Sequence, residues 1–508
     1  MSNVHYSLQP VLSQDQLEMI VSDGIRILDE IGVECKHSGI QGLVAKTPGG
    51  RVRGERLHFE PKLCREHIEK IRQKVRGRID PAREHTQKSQ TVVQPPSPGQ
   101  PSPGLPSPGP SGHPLPQGER VKLKAVGPWT CINVIDMDSQ KMRLGTLADM
   151  IDATKLLTAL NIEGRKICAP ICPNDIPGRL QSLTMAKESW KFTDQTGGGV
   201  SSTVREIEAL YELGTLAGVK PPYTFIEFGI SPLTFNPDTL DLVYKMLGRP
   251  EMAAMAIDPG PIPTLGGTGP LSFKAVLAQS VAETLGGSVL VDILTAGERT
   301  PLCSAMTAVG VDMRFGTVNF SSPESILLLN MGFEVGSYVT GVRSMGGAMR
   351  TIAKWHDEQA ASEKTMCALM GALAGARHFC DLGQISVDDA FSFEQVVLDM
   401  EILAGVERFM NGFDFDNGAD TLTAIREGLE TRNFFTSDLT MANFRKDYWC
   451  PKIFERRMLG SWQAAGAPTV LDKARQIAKE KIASVQPRLD EGTARKMDDL
   501  VKKFAATV

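Results

Sequence analysis

From about Thr146 onward, short apolar runs alternate with amphipathic helical stretches, and the alternation persists for more than 200 residues. The predicted strands are Lys166 to Ile171, Tyr223 to Ile230, Met252 to Ile257, Pro301 to Thr307, Tyr338 to Val342 and Arg377 to Leu382. Helical patterns fall between them at Val204 to Ala217, Thr239 to Leu247, Phe273 to Leu285, Pro323 to Met331 and Gln359 to Ala374. Strand, helix, strand repeated in this way implies parallel pairing with helical crossovers. Six units are evident and two more are expected around Phe192 to Val200 and Val396 to Phe409. Eight such units close a barrel. The predicted fold class is therefore α/β, a TIM-like (β/α)8 barrel with an N-terminal helical region and C-terminal helices.

The flanks divide the chain further. Between Pro95 and Gln117 lies a proline, serine and glycine tract with a near-repeat of Ser-Pro-Gly. Such a tract forms neither a helix nor a sheet interior, so residues 94–118 are predicted to be an exposed linker or loop insertion. Before it, residues 1–93 are predicted to be helical, on the strength of Leu17, Ile20, Val21, Ile25, Leu28 and Ile31 at helical spacing behind a Ser13 cap. After it, Val121 to Asp138 reads as an extended hairpin leading into a barrel over residues 119–420. Residues 421–508 turn charged and amphipathic and are predicted to be helices on the barrel's outside.

Composition excludes several classes of function. With 42% hydrophobic residues the chain can bury a core, and 55 Lys+Arg against 59 Asp+Glu leaves no basic surface for nucleic acid or anionic membrane. Met1 to Pro10 has no secretory pattern and no apolar run reads as a bilayer span, so the expectation is a cytoplasmic protein. The nine cysteines are odd in number and irregularly spaced, as expected of reduced thiols. There is no CxxC pair, GxxxxGK[ST] or Gly-x-Ser-x-Gly. The expectation is no metal held by the chain; a zinc site from Cys303, His378 and Cys380 is the alternative to test.

Aromatic residues are few, but Tyr223, Phe225, Phe228 and Phe235 cluster around one predicted strand, and Phe315, Phe320, Phe333, Tyr338 and Trp355 bracket two others. Converging aromatic faces can hold a quaternary ammonium, which has no N–H to donate.

The stretch from Gln279 to Lys364 resembles the trimethylamine methyltransferase (MttB) family of corrinoid-dependent methyltransferases. The matching pieces are Gln279-x-x-Ala282-Glu283 with Leu285-Gly-Gly, Gly297 and Pro301, Asp312-Met-Arg-Phe-Gly316, Pro323-Glu324, and Asp357-x-Gln359 followed by Glu363-Lys364. The resemblance implies a TIM-like barrel and transfer of a methyl group from a methylated amine to the cobalt of a small corrinoid-binding protein. The corrinoid belongs to that partner, and a homo-oligomer is expected. The trimethylamine enzymes carry pyrrolysine in a barrel loop that corresponds to Ser344 to Arg350, where only ordinary residues stand here. Relatives without pyrrolysine resemble quaternary-amine demethylases, which makes a betaine or a similar trimethylammonium compound the expected substrate. A second departure is Leu439, where the resemblance implies a His before Thr440.

Within that resemblance Tyr338, Trp355, Phe315 and Phe228 are assigned to a cation cage, with Glu227 and Asp312 as counter-charge. Arg343 or Arg314, helped by His356, pairs with a substrate carboxylate through parallel hydrogen bonds. Gly346 and Gly347 form a loop facing the corrinoid. Two alternatives remain open: a non-catalytic quaternary-ammonium-binding protein on the same barrel, and a zinc-dependent methyltransferase.

Overall fold

The computed structural model describes residues 3–4, 10–78, 121–164, 168–303, 305–342, 346–414 and 419–507. The proline-rich tract and Arg343 lie outside the described residues.

Eight helices follow one another through the central part of the chain, each preceded by a strand or an extended segment. They are α1 (Leu147–Ala159), α2 (Gly178–Trp190), α3 (Val204–Ala217), α4 (Pro237–Met246), α5 (Phe273–Leu294), α6 (Pro323–Thr340), α7 (Glu358–Ala374) and α8 (Phe393–Met410). Their starts follow from local chemistry. Thr146 and Thr203 close capping boxes with Asp149 and Glu206, Pro237 and Pro323 stand in the first turn, and Asp357 and Ser392 cap through their side chains. Each such cap stabilises its helix by about 1 kcal/mol.

The strands between them are short: β1 (Lys124–Ala125), β2 (Gly199–Val200), β3 (Thr224–Glu227), β4 (Met255–Asp258), β5 (Gly346–Ala348) and β6 (His378–Cys380). All their mutual pairings are parallel. β4 pairs with β3 and β3 with β2, in a register that sets Asp258 beside Glu227 and Phe225 beside Val200. β5 pairs with β6 and β6 with β1, setting Gly347 beside Phe379 and Phe379 beside Ala125. The result is a mixed α/β molecule whose described strands fall into six separate sheets, these two parallel arcs among them, and no closed sheet is formed by the described residues.

Several local expectations change. Tyr338 to Val342 is not a strand: α6 runs to Thr340 and ends on Gly341 in the left-handed conformation at φ 72°. Val335 and Val339 share its buried face, so helical packing overrides the β-branched composition. The segment before α6, Pro301 to Thr307, carries no strand among its described residues. Gly346 and Gly347 lie in β5 and not in a loop, since both pair in parallel with β6; Phe333 and Phe379 occupy the space their side chains would need. The hairpin after the linker is Asn133–Ile135 with Met142–Leu144; β1, its expected first arm, pairs with β6 instead. Val396 to Phe409 is wholly inside α8.

The N-terminal part contributes strands as well as helices. Val33–Cys35, Gly50–Arg53 and Arg56–Phe59 join Gly229–Ile230 and Thr234–Phe235 in a five-stranded sheet. The helix Gln14–Glu30, capped by Ser13 and Gln16, lies against α5. A Cβ on Gly24 would come within 2.5 Å of Val281, so glycine permits that close approach. α5 is long and apolar enough to cross a membrane, but 89% of its apolar window is buried inside the protein, as suits a central core helix. None of the nine cysteines is in a disulfide.

Candidate active site

A cavity of about 690 Å³ lies where the C-terminal ends of the parallel strands converge, a size ordinary for a small-molecule site. Its walls include Val200 after β2, Phe225 and Glu227 of β3, Asp258 to Ile262 at the end of β4, Pro301 to Cys303, Phe320, Arg350 after β5, Asp388, and Trp129 and Thr130 after β1. Ligands bind in this position in parallel α/β folds because the loops there are free to vary while the strands hold them.

One wall is acidic. Glu227 and Asp258 are register partners at the ends of β3 and β4. Both side chains are solvent-accessible where they open onto the cavity, while the protein packed around the cavity partly desolvates their carboxyl groups. Asp258 Oδ1 accepts from the Gly260 N–H at 3.0 Å. Glu227 makes no hydrogen bond among the described residues, and burial, with Asp258 beside it, pushes its carboxyl up to about 7. Burial raises Asp258 as well. The Gly260 turn is pressed against Glu227: at φ +58°, a Cβ there would lie 1.9 Å from Glu227 Oε1.

The other wall is a charge-balanced cluster. Arg350 Nε donates to Asp381 Oδ2 at 2.7 Å, and the guanidinium carbon sits 4.0 Å from the Phe320 ring centroid. Beneath it, Lys364 Nζ donates to the Asp381 carbonyl and to Asp399 Oδ2 at 2.7 Å, both side chains being fully buried. Asp388 lines the cavity nearby and burial raises it, against the opposing pull of Arg350. Trp129 and Phe225 bring two rings together with centroids 5.1 Å apart. The lining thus holds three carboxyl groups, Glu227, Asp258 and Asp388, against one guanidinium that already faces Asp381. Such a cavity attracts a cation and offers it aromatic faces.

Of the described residues assigned to the substrate from the sequence, Glu227 lines this cavity; Phe225 and Phe320 of the aromatic clusters and Cys303 of the zinc alternative line it too. Phe228 points the other way, buried against Phe235 at 5.1 Å. Tyr338 is on α6, where its hydroxyl donates to Glu18 and Arg72 lies 6.0 Å over its ring. Trp355 packs on Ile135, Ile385 and Ala390. His356 is buried beside it with Nδ1 3.0 Å from Ser392 Oγ, and burial lowers its pKa. Asp312 and Arg314 pair with each other at 2.6 Å on an exposed hairpin tip that also carries Phe315, 77% exposed; the guanidinium holds the Asp312 carboxyl down at about 2. Cys303 Sγ faces the Thr284 and Pro301 carbonyls, and Cys380 Sγ faces Gly347 O and Asp381. No group of three potential metal ligands occurs among the described residues, so Cys303, His378 and Cys380 are not gathered into a zinc site.

Trp129 and Asp388 carry no signal in the sequence, while Asp258 and Arg350 stand in or beside glycine-rich loops without a role assigned to them there. Phe225 had a usable signal: it is two residues before Glu227 on one strand and therefore on the same face. Asp258 heads the Asp-Pro-Gly-Pro-Ile-Pro loop, whose glycine and prolines mark a turn at a strand end.

The chain matches the family model described as trimethylamine methyltransferase (MTTB) over residues 3–102 and 119–508. It is 23% identical to the glycine betaine methyltransferase of Desulfitobacterium hafniense (strain Y51), over 89% of this chain and 88% of that one. It is 25% identical to trimethylamine methyltransferase MttB1 of Methanosarcina mazei, over 75% of this chain and 77% of that one. Among solved structures, the monomethylamine methyltransferase of Methanosarcina barkeri aligns at 9% identity with a TM-score of 0.42, covering 97% of this chain and 88% of that one.

Proposed function

Because the chain belongs to the trimethylamine methyltransferase family and is a methyltransferase, we propose that it takes a methyl group from a quaternary trimethylammonium compound, such as a betaine, and passes it to Co(I) of a corrinoid carried by a separate small protein. The observation that carries this reading is the acidic, aromatic-lined cavity at the strand ends. Glu227 and Asp258 supply acidic groups without a protein cation beside them, while Trp129 and Phe225 supply ring faces. A trimethylammonium head is large, apolar on its surface and permanently charged, which matches both features.

The chemistry favours the same substrate class. When a methyl group leaves a quaternary nitrogen, the bonding pair stays behind as the lone pair of a neutral amine, so departure itself needs no proton. The chain's own residues have to bind the cation, align one methyl toward the cavity mouth and exclude water. The corrinoid supplies the methyl-accepting Co(I) when its carrier docks. The cavity fits such a partner in one respect: Val200, 74% exposed, and Ile262 leave apolar surface at its lining open to the outside.

The same reading arranges the parallel arcs as parts of one eight-segment barrel over residues 119–420, flanked by residues 1–93 and 421–508, acting in the cytoplasm. Two links support closure: Val126 bridges Glu163 in parallel, and Gly197 N donates to Cys168 O at 3.3 Å, joining the β1 side toward β2.

The test mixes the purified chain with cob(I)alamin and trimethylamine, glycine betaine, proline betaine, carnitine or choline, and follows loss of the Co(I) absorption. Consumption with one quaternary compound and not with trimethylamine is expected. Consumption with trimethylamine alone overturns the substrate class, and calorimetric binding of a quaternary compound with no consumption favours a binding protein.

A further inference from the structure

Glu227 and Asp258 pose a problem that cation binding alone does not resolve. Two carboxyl groups at the ends of adjacent, register-paired strands repel when both are ionised, and no Lys, Arg or His touches either of them among the described residues. The other titratable or charged groups on the cavity wall are Cys168, Cys303, Arg350 and Asp388, and of these only Arg350 is cationic, with Asp381 already beside it. The Gly260 turn, fixed by its N–H to Asp258, closes over Glu227 so tightly that the carboxyl cannot swing away on that side.

We propose that Glu227 and Asp258 form a proton-exchanging pair, which loses a proton when the quaternary substrate enters and delivers one to the tertiary amine that methyl transfer leaves behind. This rests on the reading of the cavity as a quaternary-ammonium site and adds a function to it. With the cavity free of cation, the pair carries a proton on Glu227 for a substantial part of the time at neutral pH, consistent with a carboxyl pushed up to about 7. An entering cation favours the ionised form and expels that proton to water. When the methyl departs, the C–N bonding electrons become a lone pair on nitrogen, the two electrons of the new methyl bond come from Co(I), and the positive charge disappears from the cavity. Glu227 then regains a proton from water and passes it from its Oε to the lone pair. An N–H bond forms, an O–H bond breaks, and the product becomes a tertiary ammonium ion. A protonated nitrogen has no lone pair with which to take the methyl back, so the proton makes the transfer directional.

The experiment counts protons without any corrinoid. Tetramethylammonium and choline are titrated into the chain by calorimetry at pH 7 in buffers of different ionisation enthalpy, with 3,3-dimethylbutanol as the uncharged counterpart of choline. Release of about half a proton per bound cation is expected at pH 7, falling toward none at pH 9, where Glu227 is already ionised. None is expected with the uncharged alcohol. Glu227→Gln should abolish the release, and Asp258→Asn should shrink it by lowering the Glu227 pKa; melting curves show whether each variant is folded. Cation binding with no proton release, or release that persists in a folded E227Q protein, overturns the pair. Absence of cation binding in the unaltered chain instead overturns the cation-site reading on which the pair depends.

Discussion

Two pairs of charged side chains near the centre of the molecule are treated in opposite ways. Lys364 and Asp399 are fully buried, 2.7 Å apart, and every neighbour completes them: Asp399 also accepts from Gly383 N and Gln395 Nε2, and Lys364 donates again to the Asp381 carbonyl. Glu227 and Asp258 carry like charge, and among the described residues the only hydrogen bond between them and the protein is the one from Gly260. The first pair is closed chemistry, with a structural task of holding α7, α8 and the Asp381 segment together. The second lacks a positive charge, and the cavity in front of it is where that charge can arrive. An unsatisfied group in an open cavity marks function more sharply than a satisfied group in the core.

The sharpest way to break this contrast is to remove half of the closed pair. Lys364→Met leaves Asp399 buried without its cation and should cost roughly 3–5 kcal/mol, whereas Lys364→Met with Asp399→Leu should recover most of that loss. Urea unfolding of the single and double variants measures both. A single variant as stable as the parent would mean that the Lys364–Asp399 pair is not closed as described.

Next in size is Gly260→Ala. A side chain at φ +58° costs about 1–3 kcal/mol, and its Cβ displaces the Glu227 carboxylate. Both a lower melting temperature and weaker tetramethylammonium binding are expected from this one methyl group.

Glu227→Gln tests the open pair directly. At pH 8 it should weaken tetramethylammonium binding about tenfold, equivalent to one pKa unit of coupling, and the difference should narrow at pH 6 as the parent's Glu227 takes up its proton. Stability should move the other way. A carboxyl raised from 4.5 to about 7 in the folded state contributes stability below pH 4.5 that is lost as pH rises through 7. The parent should therefore lose stability relative to the variant between about pH 4.5 and 7, and above pH 7 the two should run parallel with the variant the more stable.

The helices were readable because caps and periodicity agree: Val204 to Ala217 is bounded by Thr203 with Glu206 at one end and Gly218 at the other. The strands were read less well because two to four residues give too little alternation to fix a face, and the β-branched end of α6 imitated one. The site follows the same division. Glu227 and Phe225 could be found because they share a strand, but Trp129, Arg350 and Asp388 come from loops more than 200 residues apart at the extremes, and only the fold brings them to one cavity. Arg314 and Phe315 belong to the family-like Asp312-Met-Arg-Phe-Gly316 run, whose hairpin tip lies outside the cavity lining.

That hairpin provides the smallest expected effect. Arg314 is 79% exposed and already paired with Asp312, Phe315 extends into solvent, and neither is among the residues that line the cavity. Arg314→Ala with Phe315→Ser should leave the melting temperature, the tetramethylammonium affinity and its pH dependence unchanged, because a solvent-screened pair and an exposed ring contribute almost nothing to folding or to a distant charge. A loss of cation affinity comparable to that of Glu227→Gln would mean that the hairpin tip closes over the bound cation. The missing positive charge would then be met by two regions of the molecule, not by the acidic wall alone.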